Sequence, residues 1–197
     1  MDALEALNTR RSTRSFTPEP VSQEQLEQIL QAGRLAPSGG NSQTTKFIVI
    51  RNAEVLAELA GLVQAAFAQM EVGPDTYKSI RNSVAASKRG AYVFHYNPPV
   101  LVVVANKQGY GNAMADSSCA LENMMVAANA LDLGSCWINQ LHWLDEEPSV
   151  RARLIELGLS PDETVCGALA IGHPATTDGL PARKPLERTG NPVIWVD

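Results

Sequence analysis

Two basic clusters at opposite ends of the chain could hold an anion. The first, which we call the basic segment, is Arg10-Arg11-Ser12-Thr13-Arg14, and the second is Arg183-Lys184. Guanidinium groups pair with phosphate oxygens in a two-pronged geometry, and hydroxyls add neutral donors. A fold that brings the ends together would combine the two clusters into one phosphate site. Short basic runs are also common on solvated helix ends, and taken alone the basic segment favours that simpler interpretation.

The composition disfavours several classes of function. With 197 residues, 45% of them hydrophobic and 19% charged, the chain is typical of a globular protein, and we predict a single domain over residues 1–197. The formal net charge of −5 argues against a nucleic-acid partner, which normally requires a broad positive field. No apolar run has the length of a membrane span, so no membrane partner is expected. The first residues lack a signal-peptide pattern, and three cysteines without C-x-x-C spacing are typical of a reducing compartment, so we expect a cytoplasmic protein.

Helical and strand patterns alternate along the chain. Helical spacing of apolar residues predicts helices over 2–9, 53–70, 112–131 and 148–157. A capping box at Ser22–Gln25 predicts the start of a further helix, which should end near residues 33–37. Short apolar runs predict strands over 46–50, 100–105, 134–138 and 165–171. Residues 73–90 are polar and could form either a loop or a helix over a site. This order predicts an α+β (mixed α/β) domain with a central mixed sheet of four or five strands flanked by helices.

Several familiar catalytic patterns do not occur in the sequence. It contains no dinucleotide-binding G-x-G-x-x-G, no P-loop and no G-x-S-x-G element. The histidines at 95, 142 and 173 are far apart and show no metal-ligand spacing, so no metal site is predicted. Cys136 has no recognisable basic partner, and we expect it to be a small buried side chain rather than a nucleophile.

Four segments, in this order, resemble motifs of the nitroreductase family of FMN-dependent oxidoreductases. They are RRSTRSF at 10–16, APSGGNSQ at 36–43, GSCW at 134–137 and RKPLE at 183–187. Each motif is weak by itself, but four in the correct order cover nearly the whole chain. The resemblance implies a nitroreductase-like fold and a homodimer in which a C-terminal strand, formed by the apolar residues 192–196, is exchanged between subunits. It also implies an FMN site at the subunit interface.

The resemblance implies a phosphate site built from both basic clusters. Arg10 and Ser12 would contact the FMN phosphate, with Arg11 close by. Arg183, with Lys184, would complete the site from the other end of the chain.

The resemblance also implies contacts to the flavin ring. Arg14 would face the N1–C2=O edge, where a cation stabilises the reduced flavin and raises its potential. Asn139 and Gln140 would lie near N5 and act through their backbone amides. The segment 36–43, which we call the polar loop, would come from the partner subunit and lie along the flavin. Its contacting residues would be Pro37, Ser38, Gly39 and Asn41.

The expected activity is that of an FMN-dependent oxidoreductase. NADPH or NADH would reduce bound FMN, which would then reduce a small acceptor, such as a nitroaromatic or a quinone, by ping-pong hydride transfer. No catalytic acid or base is expected, because the cofactor carries the chemistry. Two alternatives stay open: a flavin-binding storage or delivery protein, and a divergent relative that breaks down flavin, dehalogenates or dehydrogenates its substrate. Gly39 and Thr44-Thr45 replace a serine and a Pro-Trp pair that are usual in the family, and these differences bear on the choice of acceptor.

Overall fold

A four-stranded sheet lies at the centre of the protein. Its strands are β1 (Lys46–Ile50), β2 (Val100–Lys107), β3 (Gly134–Ile138) and β4 (Glu163–Gly172), which lie side by side in the order β1-β2-β4-β3. The computed structural model describes residues 1–197. The four predicted strands are therefore confirmed, with β1 and β3 matching their predicted bounds.

Seven helices and one 3-10 turn surround the sheet. The helices are α1 (Ala3–Thr9), α2 (Gln23–Arg34), α3 (Ala53–Gln69), α4 (Lys78–Lys88), α5 (Ala113–Ala130), α6 (Gln140–Trp143) and α7 (Pro148–Glu156), and the turn is Gly39–Asn41. The predicted capping box begins α2: the Ser22 hydroxyl accepts from the Gln25 backbone, and the Gln25 side chain accepts from the Ser22 backbone. The five predicted helices are confirmed.

The central strands separate two apolar cores. Along β2, Leu101 and Val103 face a core that includes α3, whereas Val102 and Val104 face a core that includes α5. Successive side chains of a strand point to opposite faces, so helices on both faces bury both sets. This explains why the sequence of β2 is continuously apolar rather than alternating.

The strand directions differ from the predicted mixed sheet. All three pairings between neighbouring strands are antiparallel. A parallel contact does occur as an isolated bridge between Ser12 and Ser135. Ser135 belongs to β3, but Ser12 is not part of any strand of the sheet. A continuously apolar run indicates burial on both faces, but it carries no information on strand direction.

Two helices were not placed by the sequence patterns. Of residues 73–90, whose structure the sequence leaves open between loop and helix, Lys78–Lys88 form α4. This helix buries only Ser83, Val84 and Ser87, so its sequence shows no apolar stripe. The four-residue helix α6 is too short to show a periodic pattern. Both helices line the site described below.

The C-terminal tail, residues 175–197, forms no helix or strand in the isolated chain. Its apolar side chains at 193–196 are 72% to 92% exposed. No helix of the protein combines the length and the apolar character needed to cross a membrane.

Candidate flavin site

The two basic clusters meet beside β3. The backbone N–H of Thr13 donates to the carbonyl oxygen of Ser135 at 2.8 Å, which holds the basic segment along the strand. The Arg11 guanidinium donates to the carbonyl oxygen of Lys184 at 2.8 Å. The chain therefore brings residues 173 positions apart into direct contact.

Two arginines of the predicted phosphate site are paired with carboxylates, one on α5 and one just beyond its C-terminal end. Arg10 Nε lies 3.4 Å from an oxygen of Glu122, and Arg183 pairs with Asp132 and donates to the carbonyl oxygen of Asn129 at 3.2 Å. Both carboxylates are exposed, so each ion pair contributes at most about 1 kcal/mol and can be exchanged for an incoming anion. Arg183 Nε is buried and has no hydrogen-bond partner, so this guanidinium retains an unused donor.

A cavity of about 490 Å³ lies next to the basic segment. One wall comes from the basic segment, β3 and the start of α6, and we call it the β3 wall. The other comes from α4 and the residues around it, and we call it the α4 wall. The β3 wall is formed by Arg14, Cys136, Trp137, Ile138, Asn139 and Gln140. The α4 wall is formed by Tyr77, Ser79, Asn82, Ser83, Ala86, Arg89, Tyr92, Tyr96 and Trp143.

Hydrogen bonds connect the two walls and fix their polar side chains. Gln140 Nε2 donates to the Tyr92 hydroxyl at 2.6 Å, and that hydroxyl lies 2.8 Å from Ser83 Oγ. Within the β3 wall, Trp137 Nε1 donates to Asn139 Oδ1 at 2.6 Å. Burial raises the pKa of Tyr92, so its hydroxyl stays protonated at neutral pH. Because the side chains of Asn139 and Gln140 are engaged by the protein, contact with a ligand would fall to their backbone.

Cys136 is a buried thiol in the β3 wall. Burial raises its pKa, although Arg14, the Ser12 hydroxyl and Arg10 act in the opposite direction. The thiol is therefore protonated at neutral pH and is a poor nucleophile. The burial of Cys136 agrees with the predicted packing role. The thiol also lies in the wall of the cavity, which the sequence did not predict.

The polar loop lies elsewhere and is held by a buried carboxylate. Asp116, on α5, accepts from the backbone N–H of Gly39 at 3.0 Å and 3.2 Å, one distance to each oxygen. Its Oδ2 also lies 3.0 Å from the Tyr110 hydroxyl and 3.4 Å from Ser42 Oγ. The Tyr110 hydroxyl is also 3.1 Å from the carbonyl oxygen of Gly39. Asp116 therefore fixes the start of the 3-10 turn.

Close packing explains the glycine at position 39. A Cβ there would lie 2.1 Å from Asn112 Nδ2 and 2.7 Å from the Tyr110 hydroxyl, both shorter than real contacts. The loop then turns through left-handed backbone at Gly40 and Asn41, and the Asn41 side chain accepts from Gln43 Nε2 at 3.1 Å. The shape of the loop is thus set by its own chain.

Within one chain the polar loop and the Arg14 cavity are separate. Pro37 and Ser38 line a different cavity of about 130 Å³ that includes Asp116, and it shares no lining residue with the larger one. The predicted site residues therefore fall into two groups on one chain: the basic clusters with the β3 wall, and the polar loop.

A sequence profile of the nitroreductase family matches residues 7–173 of this chain. The chain belongs to the nitroreductase family. A nitroreductase from Bacteroides fragilis, whose crystal structure contains bound FMN, is 34% identical in sequence to this chain. The two structures superimpose with a TM-score of 0.86, and the match covers 100% of each chain. A Thermus thermophilus protein named NADH dehydrogenase is 30% identical over 214 residues, 99% of this chain and 96% of that protein. A Bacillus subtilis protein named FMN reductase (NAD(P)H) is 27% identical to this chain, and the alignment covers 100% of this chain and 75% of that protein.

Sequence reasoning missed the α4 wall and the carboxylate that holds the polar loop. The α4 wall comes from a polar region with no periodicity, so no pattern marks its side chains as neighbours. The sequence does mark Asp116, because it is an acidic residue in a helix otherwise rich in alanine, serine and methionine. In the structure its side chain is 6% exposed. A buried carboxylate at such a position requires hydrogen-bond partners.

Proposed function

We propose that the protein takes electrons from NADPH or NADH at a bound FMN and passes them to a small organic acceptor in a second, separate half-reaction at the same cavity. The broader assignment, an FMN-dependent NAD(P)H oxidoreductase, follows from membership of the nitroreductase family and from relatives named for FMN and NAD(P)H. The observation that carries the finer proposal is the cavity itself. It is open, it is lined by Arg14 of the basic segment, and its walls hold no carboxylate.

The side chains around the cavity fit a flat, conjugated ring with a negatively polarised edge. Trp137 lies on the β3 wall next to Arg14, and four further aromatic side chains lie on the α4 wall. When bound, FMN supplies reversible hydride acceptance and donation at its ring. Arg14 would hold the N1–C2=O edge, and its charge would favour the reduced state. The backbone at Asn139 and Gln140 would position the ring near N5.

The residues available for the phosphate also fit. Arg10, Arg11, Ser12, Arg183 and Lys184 come from both ends of the chain, and Arg11 already contacts Lys184. The unpaired, buried Nε of Arg183 is a donor that a phosphate oxygen would satisfy. Charge-assisted hydrogen bonds of this type contribute about 1.5–3 kcal/mol each when partly buried.

We further propose that the site is completed by a second copy of the chain. The polar loop does not line the Arg14 cavity of its own subunit, and the apolar tail at 193–196 has no cover. A homodimer in which these tails cross would bury them and would bring one subunit's polar loop to the other's flavin. The three free cysteines agree with a reducing compartment, and we propose the cytoplasm as the location.

Absorption spectroscopy and kinetics test this function. The purified protein should show the visible bands of an oxidised flavin, and stopped-flow mixing with NADPH or NADH should bleach them with a rate that saturates. Double-reciprocal plots at several acceptor concentrations should then be parallel. Intersecting plots would overturn the two separate half-reactions, and slow bleaching that does not saturate would instead support the storage or delivery alternative.

The role of Arg14 has its own test. Arg14→Ala should lower the midpoint potential of the bound flavin and slow its reduction, while much of the FMN remains bound. The exposed Arg51 provides a matched control, because its side chain bonds to Gln23, outside the cavity. An unchanged potential in the flavin-bound fraction of Arg14→Ala would remove this role.

A further inference from the structure

We propose that Arg89 selects electron acceptors that carry an anionic group on a flat aromatic ring, such as a carboxylated nitroaromatic. This inference rests on the proposed function, since it concerns the second substrate of the same cavity. Arg89 follows the last residue of α4 and belongs to the α4 wall. No motif of the sequence marked it.

The charge of the cavity is the first argument. In a chain with a formal net charge of −5, this cavity contains two arginines and no aspartate or glutamate. Neither Arg14 nor Arg89 takes part in an ion pair. Two uncompensated guanidinium groups at one cavity attract anions and raise their local concentration.

The division of the walls is the second argument. The residues that the flavin would use, Arg14 and the backbone at 139 and 140, all lie on the β3 wall. Once that wall is assigned to the flavin, Arg89 is the cation that remains for a second ligand. Its neighbours on the α4 wall include Tyr77 and Trp143, whose ring centroids are 5.9 Å apart in an edge-to-face arrangement. Aromatic side chains of this kind pack against a flat ligand ring.

The size of the cavity favours the acceptor over the nicotinamide donor, and the charge of Arg89 outweighs that of the nearby helix end. The flavin ring would lie along the β3 wall of this cavity of about 490 Å³, so the space left at the α4 wall suits a single compact ligand, and the phosphates of a dinucleotide would extend beyond it. The carbonyl end of α4 has a partial negative charge of about half a unit, which opposes an anion. The full positive charge of Arg89 exceeds that opposition.

Paired acceptors isolate the charge from the ring. 4-Nitrobenzoate and 4-nitrobenzamide have the same shape and both carry an electron-withdrawing substituent, but only the first is an anion. Conversion of the nitro group to the nitroso group consumes one NAD(P)H and one proton and releases water. With Arg89→Gln we expect the KM for 4-nitrobenzoate to rise roughly 1.5- to 5-fold, the range for an exposed charge pair, with kcat unchanged. The KM values for 4-nitrobenzamide and for NADPH should stay the same.

Two further variants separate a specific contact from general electrostatics. Arg89→Lys should recover part of the preference, because it keeps the charge and loses the planar fork. Lys88→Gln is the matched control, since Lys88 is exposed at the same helix end but does not line the cavity. Equal losses for both acceptors in Arg89→Gln, a changed KM for NADPH instead, or the same effect in Lys88→Gln would each overturn the proposal.

A binding measurement keeps the test independent of turnover. Trp137 and Trp143 line the cavity, so quenching of tryptophan fluorescence can report the binding of benzoate and of neutral benzamide to the purified protein. We expect Arg89→Gln to weaken benzoate binding by the same factor of roughly 1.5 to 5 and to leave benzamide binding unchanged. If no acceptor is reduced at all, the proposed function fails, whereas equal weakening of benzoate and benzamide would refute the role of Arg89 alone.

Discussion

Removal of the Asp116 carboxylate should destabilise the protein by releasing the polar loop. This carboxylate is 6% exposed, has no cationic partner, and accepts from the Gly39 backbone, the Tyr110 hydroxyl and the Ser42 hydroxyl. Each of the two shorter bonds, to Gly39 and to Tyr110, contributes about 1.5–3 kcal/mol because its acceptor is charged. The substitution Asp116→Ala also abolishes the cost of burying an unpaired charge, which offsets part of that loss. We therefore expect a net loss of about 3 kcal/mol in the free energy of unfolding.

The measurement is thermal and urea unfolding at one protein concentration, since any association of subunits makes the midpoint depend on concentration. For a chain of 197 residues, about 3 kcal/mol corresponds to a fall in Tm of roughly 6–12 °C. Asp116→Asn keeps the shape and one acceptor oxygen for Gly39, so we expect about half of that effect. Asp162→Ala is a matched control, because Asp162 is exposed. An Asp116→Ala protein within about 0.5 kcal/mol of the parent, the range of ordinary surface changes, would refute this account of the loop.

Three further changes test the phosphate site, the tail and a buried histidine. Arg10→Ala with Arg183→Ala should weaken FMN binding by about two orders of magnitude or more, seen as flavin lost during purification. Deletion of 191–197 should give monomer or aggregate without flavin, measured by size-exclusion chromatography with light scattering. His95 bonds to the Leu56 carbonyl oxygen at 2.9 Å, and burial lowers its pKa below 6.5. The unfolded chain then binds a proton that the folded chain does not, so stability should be full above about pH 6.5 and fall as the pH drops below it. Urea unfolding at several pH values should show this, and His95→Asn should flatten the curve.

Each of these expectations has an outcome that contradicts it. Full flavin content in the double arginine variant would show that the phosphate lies elsewhere, and Arg188→Ala, an exposed change in the tail, controls for loss of charge alone. A stable, yellow, dimeric protein without residues 191–197 would show that the tail does not hold the subunits together. An identical pH profile for the parent and His95→Asn would mean that other groups set the acid sensitivity.

The fold was largely predictable because strands and helices left distinct patterns. β1 and β3 were predicted with their observed bounds, and the capping box at Ser22 placed the start of α2. The direction of the strands was not predictable, because β2 and β4 are covered by helices on both faces and their apolar runs look the same in either direction. The helix α4 was not predictable because it buries few apolar side chains.

Only the parts of the candidate site that lie within a family motif could be predicted from the sequence. The motifs named the basic clusters and the polar loop, and the structure places Arg11 against Lys184 as convergence of the two ends requires. They gave no indication that Arg183 pairs with Asp132, since that contact depends on how the tail folds back onto the end of α5. They also gave no indication of Arg89, which reaches the cavity only through the position of α4.

The close packing around Gly39 constrains the order in which this protein could change during evolution. A serine at that position would displace Asn112, whose side chain can rotate away, and Tyr110, whose hydroxyl is held by Asp116. A protein that gained the serine first would have a weaker hydrogen bond between Tyr110 and Asp116 until residue 110 also changed. A lineage that first lost the large side chains at 110 and 112 would accept the serine at little cost. The history of this position is therefore expected to be directional, with substitutions at 110 and 112 preceding any side chain at 39.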